Sequence, residues 1–589
     1  MPILVKARSF LRNLLSSTRV DRELDERSDA RREWLRKMAL PVSGAVLSAN
    51  LLRRQNTGST AESAAEDRDD LGARVYNVRK YGAKGDGKTV DTAAVQAAID
   101  ACHGDGGGTV LVPAGTFVIG TVELKSYVTL RIAAAGKLLG SAEGKQYHAV
   151  DAVPLSGDTT LKDGNWALLF AVNAKKITIE GPGTIDGQGA RFYSPVRGTP
   201  PPSGLGDSRR PYHVLVYRCE DLSIRNITLL DSAYHSIRVI QSRRLHMDSI
   251  YIHNRVNINN DGFHFISAEY VTVSNCILKC QDDACALFGS CKYVTVTNCS
   301  FSTRWSVFRF GGGSAENISV SNCVLYEVDG CPIKFQGDPG SRFENMSFSN
   351  LILKDVTGPI SISVGGRLPP PNDTIPVVVR NISFSNIHGT VTSNPPPLSE
   401  STFTGGREMS RYKGEEKACI VLNGINQSIL ENISFDDIHL TFEGGGTAEE
   451  AARRDLPEVF GEYFELGTLP AYGLYVRNAR GVTLQNVRFR VSKTDLRPAV
   501  IMDHAEDVAF NGLSVDGNKE AESVLRFIDC KEILLTAARV LTPSSTFLQL
   551  EGAATEGIIV EGGDLSKAAS PVALKHGATE KALKLRDVP

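Results

Sequence analysis

The chain has 589 residues of ordinary globular composition, with 42% apolar and 22% charged residues. Lys and Arg number 65 against 67 Asp and Glu, so the net charge is −2. A nearly neutral chain lacks the positive field that gathers nucleic acid, and we expect no nucleic-acid partner. No run of about 20 apolar residues occurs, which excludes a conventional membrane span. Eleven cysteines are too sparse for a disulfide scaffold in so long a chain.

Residues 1–72 differ from the rest because they are rich in Arg, Asp, Glu and Ser and lack strand periodicity. Within them, the run Arg31–Lys37 (RREWLRK) precedes a mildly apolar stretch, Met38–Ala49. This order of features resembles a twin-arginine export signal, with a basic amphipathic helix as the alternative. We predict an export signal in 1–50, a linker in 51–72 and one folded domain in 73–589, exported to the periplasm or secreted.

One short phrase recurs along the body of the chain: an apolar residue, Ser or Thr, an apolar residue, a polar residue and often Asn. Copies that begin at Val271, Val294 and Ile318 are 23 and 24 residues apart. Period-2 alternation with β-branched residues predicts strands, and a repeat of about 20–30 residues predicts a solenoid. Further copies begin at Leu222, Met346, Ile382, Ile433, Val482 and Val508.

Each repeat is too short for a βαβ crossover, so the chain must coil with one rung above the last. Strands of adjacent rungs then pair in parallel about 4.8 Å apart, and like residues stack. We predict an all-β fold, a single-stranded right-handed parallel β-helix. The recurring Asn should form a ladder at a turn, and Cys276, Cys299 and Cys323 a buried stack.

A solenoid also needs a cap over its open apolar end. Residues 91–102 supply a candidate helix for the N-terminal end, with Asp91 as its N-cap. The apolar face of this helix consists of Val95, Ala98, Ile99 and Cys102.

A functional site on a solenoid should show as polar residues spaced by the repeat. Asp282 adjoins Asp283, and Asp261 lies one rung earlier, so three acids share a small region. Because three neighbouring carboxyl groups cannot all ionise cheaply, the pKa of at least one of them should rise. That group would stay protonated beside ionised carboxylates, which is the combination that cleavage of a glycosidic bond requires. Neighbouring strand residues point to opposite faces, so Asp282 and Asp283 share a cleft only if the strand ends or bulges there. The proposed column is His235, Asp261, Asp283, Arg309 and Lys334, at spacings of 26, 22, 26 and 25 residues.

At these motifs, residues 75–540 resemble glycoside hydrolase family 28, the polygalacturonase family. Asn259-Asn260-Asp261 is similar to the family's Asn-Thr-Asp motif, and Gln281-Asp282-Asp283 to its Asp-Asp motif. The segments 76–92 and 183–189 also match. The resemblance implies a right-handed β-helix that hydrolyses pectin with inversion. Asp282 would be the general acid, and Asp261 and Asp283 would hold and deprotonate the attacking water.

Two other family motifs differ in this chain. Thr303-Arg304-Trp305-Ser306 stands where the family has Gly-His-Gly, and Pro332-Ile333-Lys334 where it has Arg-Ile-Lys. The family histidine and arginine are therefore missing, while the lysine and the acids remain. Residues 469–477 and 497–499 resemble a bacterial branch of the family.

Several residues near the acids are candidates for binding substrate. Arg309, Lys334 and Arg304 would bind a uronate carboxylate, or the first two would neutralise the acids beneath them. Trp305 would stack on a sugar face, and His235 would either line the cleft or be structural. The predicted substrate-binding set is Arg309, Lys334, Arg304, Trp305, His235 and Asn260.

The insertions 195–211, 366–416 and 443–470 are expected to wall the cleft, because long loops on solenoids gather at binding faces. We predict a monomeric glycoside hydrolase that cleaves pectic or related polysaccharide without a metal or cofactor. Two alternatives remain open. One is a polysaccharide lyase that uses Ca²⁺ and Arg309 or Lys334 as base, and the other is a non-catalytic glycan-binding β-helix.

Overall fold

The computed structural model describes residues 74–154, 164–193, 201–205, 209–365, 375–395, 397–403, 415–425, 427–459 and 463–587. The predicted export signal and linker lie outside these residues. The described part is all-β, with 38 strands and two α-helices, α1 (Thr92–Gly104) and α2 (Ala448–Ala452). Short 3₁₀ helices cover Val78–Tyr81, Gly144–Gln146, Gly189–Phe192, Tyr463–Leu466 and Glu580–Ala582.

Strands that hold the same place in successive rungs pair in three parallel ladders, which we call the first, second and third sheets. The first sheet contains β5 (Val122–Glu123), β8 (Ala167–Val172), β11 (Tyr212–Tyr217), β14 (Ile237–Ile240), β17 (Phe263–Ile266), β23 (Ile333–Gly337), β25 (Ile360–Val364), β27 (Ile420–Gly424), β32 (Leu525–Ile528), β35 (Ser544–Glu551) and β37 (Ala568–Lys575).

The second sheet follows the first along each rung. It contains β1 (Val75–Asn77), β3 (Gly108–Val112), β6 (Val128–Ile132), β9 (Lys175–Glu180), β12 (Glu220–Arg225), β15 (Arg243–Asp248), β18 (Glu269–Ser274), β33 (Lys531–Thr536), β36 (Glu556–Glu561) and β38 (Leu583–Arg586).

The third sheet completes the rung. It contains β2 (Asp86–Val90), β4 (Gly115–Ile119), β7 (Gly136–Gly140), β10 (Thr184–Asp186), β13 (Thr228–Leu230), β16 (Tyr251–Asn254), β19 (Ile277–Cys280), β21 (Ser300–Thr303), β31 (Ser514–Val515) and β34 (Arg539–Val540).

Seven longer strands run through a turn and contribute to two or three sheets. They are β20 (Cys285–Thr297), β22 (Phe308–Val328), β24 (Arg342–Val356), β26 (Val378–Val391), β28 (Leu430–Phe442), β29 (Leu474–Val491) and β30 (Val500–Asn511).

Like residues stack inside the solenoid, as the repeat predicts. Phe384 lies 5.2 Å from the ring of Phe348 on one side and 5.2 Å from that of Phe435 on the other, with nearly parallel rings. The predicted cysteine stack is confirmed at Cys276, whose backbone N–H donates to the Cys299 Sγ at 3.4 Å. All eleven cysteines are buried. Burial of so many apolar side chains in one continuous core stabilises the stacked rungs.

The predicted asparagine ladder is also confirmed. At the turn between the second and third sheets, the Asn350 amide donates to Asn322 at 2.9 Å and the Asn386 amide donates to Asn350 at 2.8 Å. These residues have φ between 50° and 56°, a left-handed conformation that Asn tolerates better than most residues. A second ladder, at the turn between the first and second sheets, consists of Asn317, Asn345, Asn381 and Asn432.

The helix predicted near the N-terminus is present as α1, and its predicted apolar face, Val95, Ala98, Ile99 and Cys102, is buried. Asp91 is the N-cap residue of this helix, as predicted, but its side chain makes no capping hydrogen bond. The buried Asp91 carboxylate instead accepts from the backbone N–H groups of Lys84 and Gly85, at 2.7 and 2.9 Å. Those two amides satisfy the carboxylate and hold it away from the first turn of the helix.

In the described part of the chain, no helix has the length and apolarity that crossing a membrane would require.

Candidate active site

The three candidate acids lie on the turns that lead from the third sheet back to the first. Asp261 is on the turn between β16 and β17. Asp282 and Asp283 are on the turn after β19 ends at Cys280 and before β20 begins at Cys285. The strand is therefore interrupted at the acid pair, and the alternation that would point the two side chains to opposite faces does not apply.

Asn260 fixes the turn that carries Asp261. The Asn260 side chain is fully buried, and its Oδ1 accepts from the backbone N–H groups of Val256 and Asn257 at 3.1 and 2.7 Å. Its Nδ2 donates to the carbonyls of Ser232 and Tyr234, both at 2.9 Å. These four bonds join two rungs and set the position of the next residue, Asp261. Substrate contact by Asn260 stays a prediction.

Asp261 is buried beside two histidines. His264 Nδ1 lies 2.7 Å from Asp261 Oδ2, and His235 Nε2 lies 3.6 Å from the same oxygen. Burial, together with the nearby cations Arg238 and Arg309, lowers the pKa of His264 well below its usual value. The imidazole is therefore neutral at ordinary pH, and its Nδ1–H donates to the carboxylate.

His235 and His264 belong to a stack of rings that follows the solenoid. The His264 ring lies 4.3 Å from that of His235 and 5.0 Å from that of Phe288. Burial lowers the pKa of His235 as well, with further contributions from His264, Arg238 and Arg210. Arg238 Nη1 lies 3.4 Å from His235 Nδ1, so the buried imidazole accepts on one side and faces Asp261 on the other.

Asp282 has a more open setting than Asp261. Its side chain is partly exposed, and its Oδ2 accepts from the neutral Asn259 amide at 3.2 Å. Asn259 is held in turn by Arg210, whose Nη2 donates to the Asn259 Oδ1 at 2.9 Å. The Asp282 Oδ1 accepts from the backbone N–H of Asp283 at 2.8 Å.

Asp283 is buried and contacts the next rung. Its Oδ1 accepts from the backbone N–H of Ser306 at 3.1 Å, and its Oδ2 lies 3.9 Å from Arg309 Nε. The structure therefore brings Asp261, Asp282, Asp283 and Arg309 to consecutive rungs of one face.

The proposed single polar column is in fact two neighbouring columns. Along the strands of the first sheet, His264 pairs with Ala286, Ala286 with Arg309, and Arg309 with Lys334. Asp261 and Asp283 precede His264 and Ala286 by three residues, so they occupy the turn, whereas the two cations lie on the strands. The sequence spacings between the residues of the proposed column are all close to the repeat length, so they do not reveal this three-residue offset.

Arg304 forms a salt bridge with Glu415, which belongs to a distant insertion. Its Nη1 and Nη2 donate to the two carboxylate oxygens of Glu415 at 3.2 and 3.3 Å, and both side chains are buried. The Arg304 guanidinium also lies 5.5 Å from the ring of Trp305, and Lys334 Nζ lies 4.8 Å from that ring. Trp305 is thus placed beside two cations, and its contact with sugar stays a prediction.

Insertions cover one side of the acid-bearing turns, in line with their predicted place around the cleft. The backbone N–H of Thr402 donates to the carbonyl of Arg255 at 3.3 Å, and Ser401 Oγ donates to Gln281 at 3.2 Å. The ring of Phe403 lies 5.2 Å from that of Tyr193, which belongs to the loop after β10. Two insertions from different rungs therefore meet beside the turn of Asp261.

One group of side chains here has the composition of a metal site. The ligand atoms of His235, Asp261 and His264 lie within 4.8 Å of one another. The 2.7 Å contact between Asp261 and His264, however, is a direct hydrogen bond. The geometry favours a carboxylate oriented by an imidazole over a metal-ligand set.

Four residues that contact the candidate set escaped prediction: His264, Asn259, Arg210 and Glu415. His264 follows the Asn-Asn-Asp motif by three residues and shares a strand position with Arg309, so repeat spacing was a usable signal. Glu415 is 111 residues from Arg304, in a segment without periodicity, and no sequence signal joined them.

The chain is similar to known proteins over the part that carries these turns. The model of glycosyl hydrolases family 28 matches residues 102–399. An exo-poly-alpha-D-galacturonosidase of Dickeya chrysanthemi is 29% identical over 434 residues, which cover 62% of this chain and 71% of that protein. An exopolygalacturonase of Zea mays is 27% identical over 362 residues, with 55% and 78% covered. The crystal structure of a hyperthermoactive exopolygalacturonase from Thermotoga maritima has a TM-score of 0.53 at 18% identity, covering 71% of this chain and 92% of that chain, and it shares the fold.

The family match spans half of the chain and includes the turns that carry all three acids. The family match therefore favours a hydrolase over the two alternatives, which were a lyase and a non-catalytic glycan-binding protein. The chain belongs to glycoside hydrolase family 28 and is a glycoside hydrolase that acts on pectin.

Proposed function

We propose that this enzyme hydrolyses glycosidic bonds of a uronate-containing pectic chain with inversion, using Asp282 as general acid and Asp261 and Asp283 as the water-holding carboxylates. The observation that carries the proposal is the contrast between the three settings. Asp261 and Asp283 are buried beside an imidazole N–H and a guanidinium, whereas Asp282 is partly exposed beside a neutral amide. Unequal surroundings of neighbouring carboxyl groups are what separate an acid from a base.

The steps follow from these roles. Asp282 donates its proton to the glycosidic oxygen as the bond between that oxygen and the anomeric carbon breaks. A water molecule held by Asp261 and Asp283 attacks the anomeric carbon from the opposite side and gives up a proton to one of these carboxylates. His264 is a positioning residue, because its Nδ1–H orients Asp261 without touching the reacting atoms.

The Asp282→Asn variant tests the acid assignment. We expect turnover on pectic polymer to fall by about 100-fold or more, because the amide has no proton to donate. Substrates with an activated leaving group should lose much less, since they need little protonation. Asp338→Asn, in an exposed turn after β23, is a matched control that should keep full activity. Full turnover by Asp282→Asn on the natural linkage would contradict the assignment.

We also propose that Arg309 recognises the uronate carboxylate. Arg309 Nε lies 3.9 Å from Asp283, and the Arg309 side chain is 13% exposed. Lys334, one rung further, is fully buried over Trp305 and supports the same face. A planar guanidinium suits a carboxylate that approaches from the cleft.

Replacing Arg309 with Gln separates recognition from simple charge balance. If Arg309 binds the uronate, Arg309→Gln should weaken carboxylated substrates by about 1.5–3 kcal/mol relative to methyl-esterified ones, and Arg309→Lys should restore part of the loss. The measurement is kcat/KM on both substrate types. Equal losses on charged and neutral substrates would show that Arg309 serves only to balance Asp283.

Four further proposals concern the whole chain. We propose that the rungs coil right-handed and that α1 covers the N-terminal end, which is supported by the contacts of α1 with β1, β3, β5 and β6. We propose a monomer exported through the twin-arginine signal, a route that carries folded proteins and suits cysteines that are already buried. Changing Arg31 and Arg32 to Lys should then keep the protein inside its host cell.

A further inference from the structure

A second group of possible ligands lies outside the active site, on the outer face of the third sheet. His388 is on β26 and His439 is on β28, and the two residues are direct partners in the parallel ladder. Asp437 occupies the turn just before His439. The acids of the active site lie at the opposite ends of the third-sheet strands, so the two groups are separate.

We propose that His388, Asp437 and His439 form a binding site for a divalent transition-metal ion of the Zn²⁺ type. Asp437 stands at a ladder position that carries asparagine in the neighbouring rungs, at Asn386 and Asn486. Asp437 therefore replaces the ladder amide with a carboxylate at the rung where the imidazoles of His388 and His439 lie next to the turn. Imidazole with carboxylate is a ligand set that suits Zn²⁺, Ni²⁺ and Cu²⁺, whereas Ca²⁺ and Mg²⁺ prefer oxygen ligands alone.

The distances fit coordination better than hydrogen bonding. His388 Nε2 lies 3.5 Å from Asp437 Oδ2, and His439 Nε2 lies 3.4 Å from Asp437 Oδ1. A hydrogen bond between such atoms would be about 2.9 Å. Ligand atoms about 2.1 Å from a tetrahedral zinc ion are separated by about 3.4 Å. All three ligand atoms lie within 4.8 Å of one another.

Two further observations support the site. His388 Nε2 is a buried atom with no hydrogen-bond partner among the described residues, although the His388 side chain is 40% exposed. Asn486 Nδ2 donates to Asp437 Oδ1 at 2.8 Å and fixes the carboxylate, a role common in the outer shell of metal sites. The partial exposure of the three side chains leaves room for water to complete the coordination.

The position of the site indicates a structural effect. His388 and His439 belong to adjacent rungs, but the chain between them includes the insertion that supplies Glu415 to Arg304. An ion bound to both histidines would tie together the rungs on either side of this insertion. Because the ion binds the folded chain, it should raise the melting temperature without taking part in hydrolysis.

The test uses the full-length, tag-free protein after treatment with chelator and dialysis. Titration with zinc chloride in a calorimeter should show one ion per chain, and zinc should raise the melting temperature. Asp437→Asn restores the ladder residue and His439→Ala removes one imidazole, and each should weaken zinc binding by about tenfold or more. His246→Ala, which removes a lone exposed histidine of the second sheet, is the matched control and should bind zinc like the parent.

Hydrolytic activity should be the same with and without zinc. Failure of the parent to bind zinc, or undiminished binding by Asp437→Asn and His439→Ala, would overturn the proposal. An equal rise in melting temperature with Mg²⁺ or Ca²⁺ would also overturn it, because the imidazoles would then play no part. None of these outcomes depends on the catalytic assignment.

Discussion

Each acid of the candidate active site is fixed by a partner that approaches from a different direction. Asp261 accepts from the imidazole of His264 on its own rung, Asp282 accepts from Asn259 on the rung before, and Asp283 accepts from the backbone of Ser306 on the rung after. Such preorganised contacts hold the carboxylates in place before substrate arrives. The buried histidines beside them must remain neutral, which makes the protein sensitive to acid.

The stability of the fold should therefore fall between about pH 6.5 and pH 4, the window of His213. Burial lowers the pKa of His213 from 6.5 to about 4. As the pH falls, the unfolded chain binds a proton that the folded chain does not, so folding is favoured fully above pH 6.5 and progressively less below it. The loss from His213 alone is about 3 kcal/mol. His235 and His264 act in the same direction.

The measurement is the melting temperature of the parent and of His213→Gln from pH 7 to pH 4.5. His213 Nε2 lies 2.8 Å from the carbonyl oxygen of Leu230, a contact that the Gln amide can also make. We expect the melting temperature of the variant to decline less steeply than that of the parent. Parallel declines would show that His213 does not carry the pH dependence.

At the scale of the elements, the strands and their turns were predictable because their signals are local. Alternation marks the strands, and Asn350 or Asn386 marks the left-handed turn between the second and third sheets. The offset between Asp283 and Arg309 was not predictable, because a spacing of 26 residues fits both one column and two. The ladder pairing of Ala286 with Arg309 was needed to separate them.

The contacts made by the insertions could not be predicted from the sequence, for a different reason. Glu415 and Phe403 come from a segment without periodicity, and their partners Arg304 and Tyr193 lie far away in the chain. The case of Asp91 is different, because its carboxylate accepts from backbone N–H groups only six and seven residues earlier in the chain, at Gly85 and Lys84, instead of capping the helix. The three acids were found from repeat spacing, whereas His264 on the same repeat was missed and Glu415 on an insertion gave no such signal.

At the scale of the whole molecule, the solenoid supplies the frame, and the turns between the third and first sheets carry the candidate acids. Parallel ladders stack the turns of Asp261 and Asp283 and the strand of Arg309 on successive rungs, so these candidate groups inherit their spacing from the strands. Insertions then enclose one side of this face. Regular strands set the spacing of the three acids, while the turns and insertions give each acid different surroundings.

The configuration of the newly formed reducing end tests the account most directly. The protein should be mixed with an α-linked galacturonan, and the anomeric proton of the product followed by NMR before mutarotation. Attack by water held on Asp261 and Asp283, opposite to the acid Asp282, predicts a saturated product that first appears in the β configuration. An initial α product, or one with a new carbon–carbon double bond, would contradict the inverting mechanism.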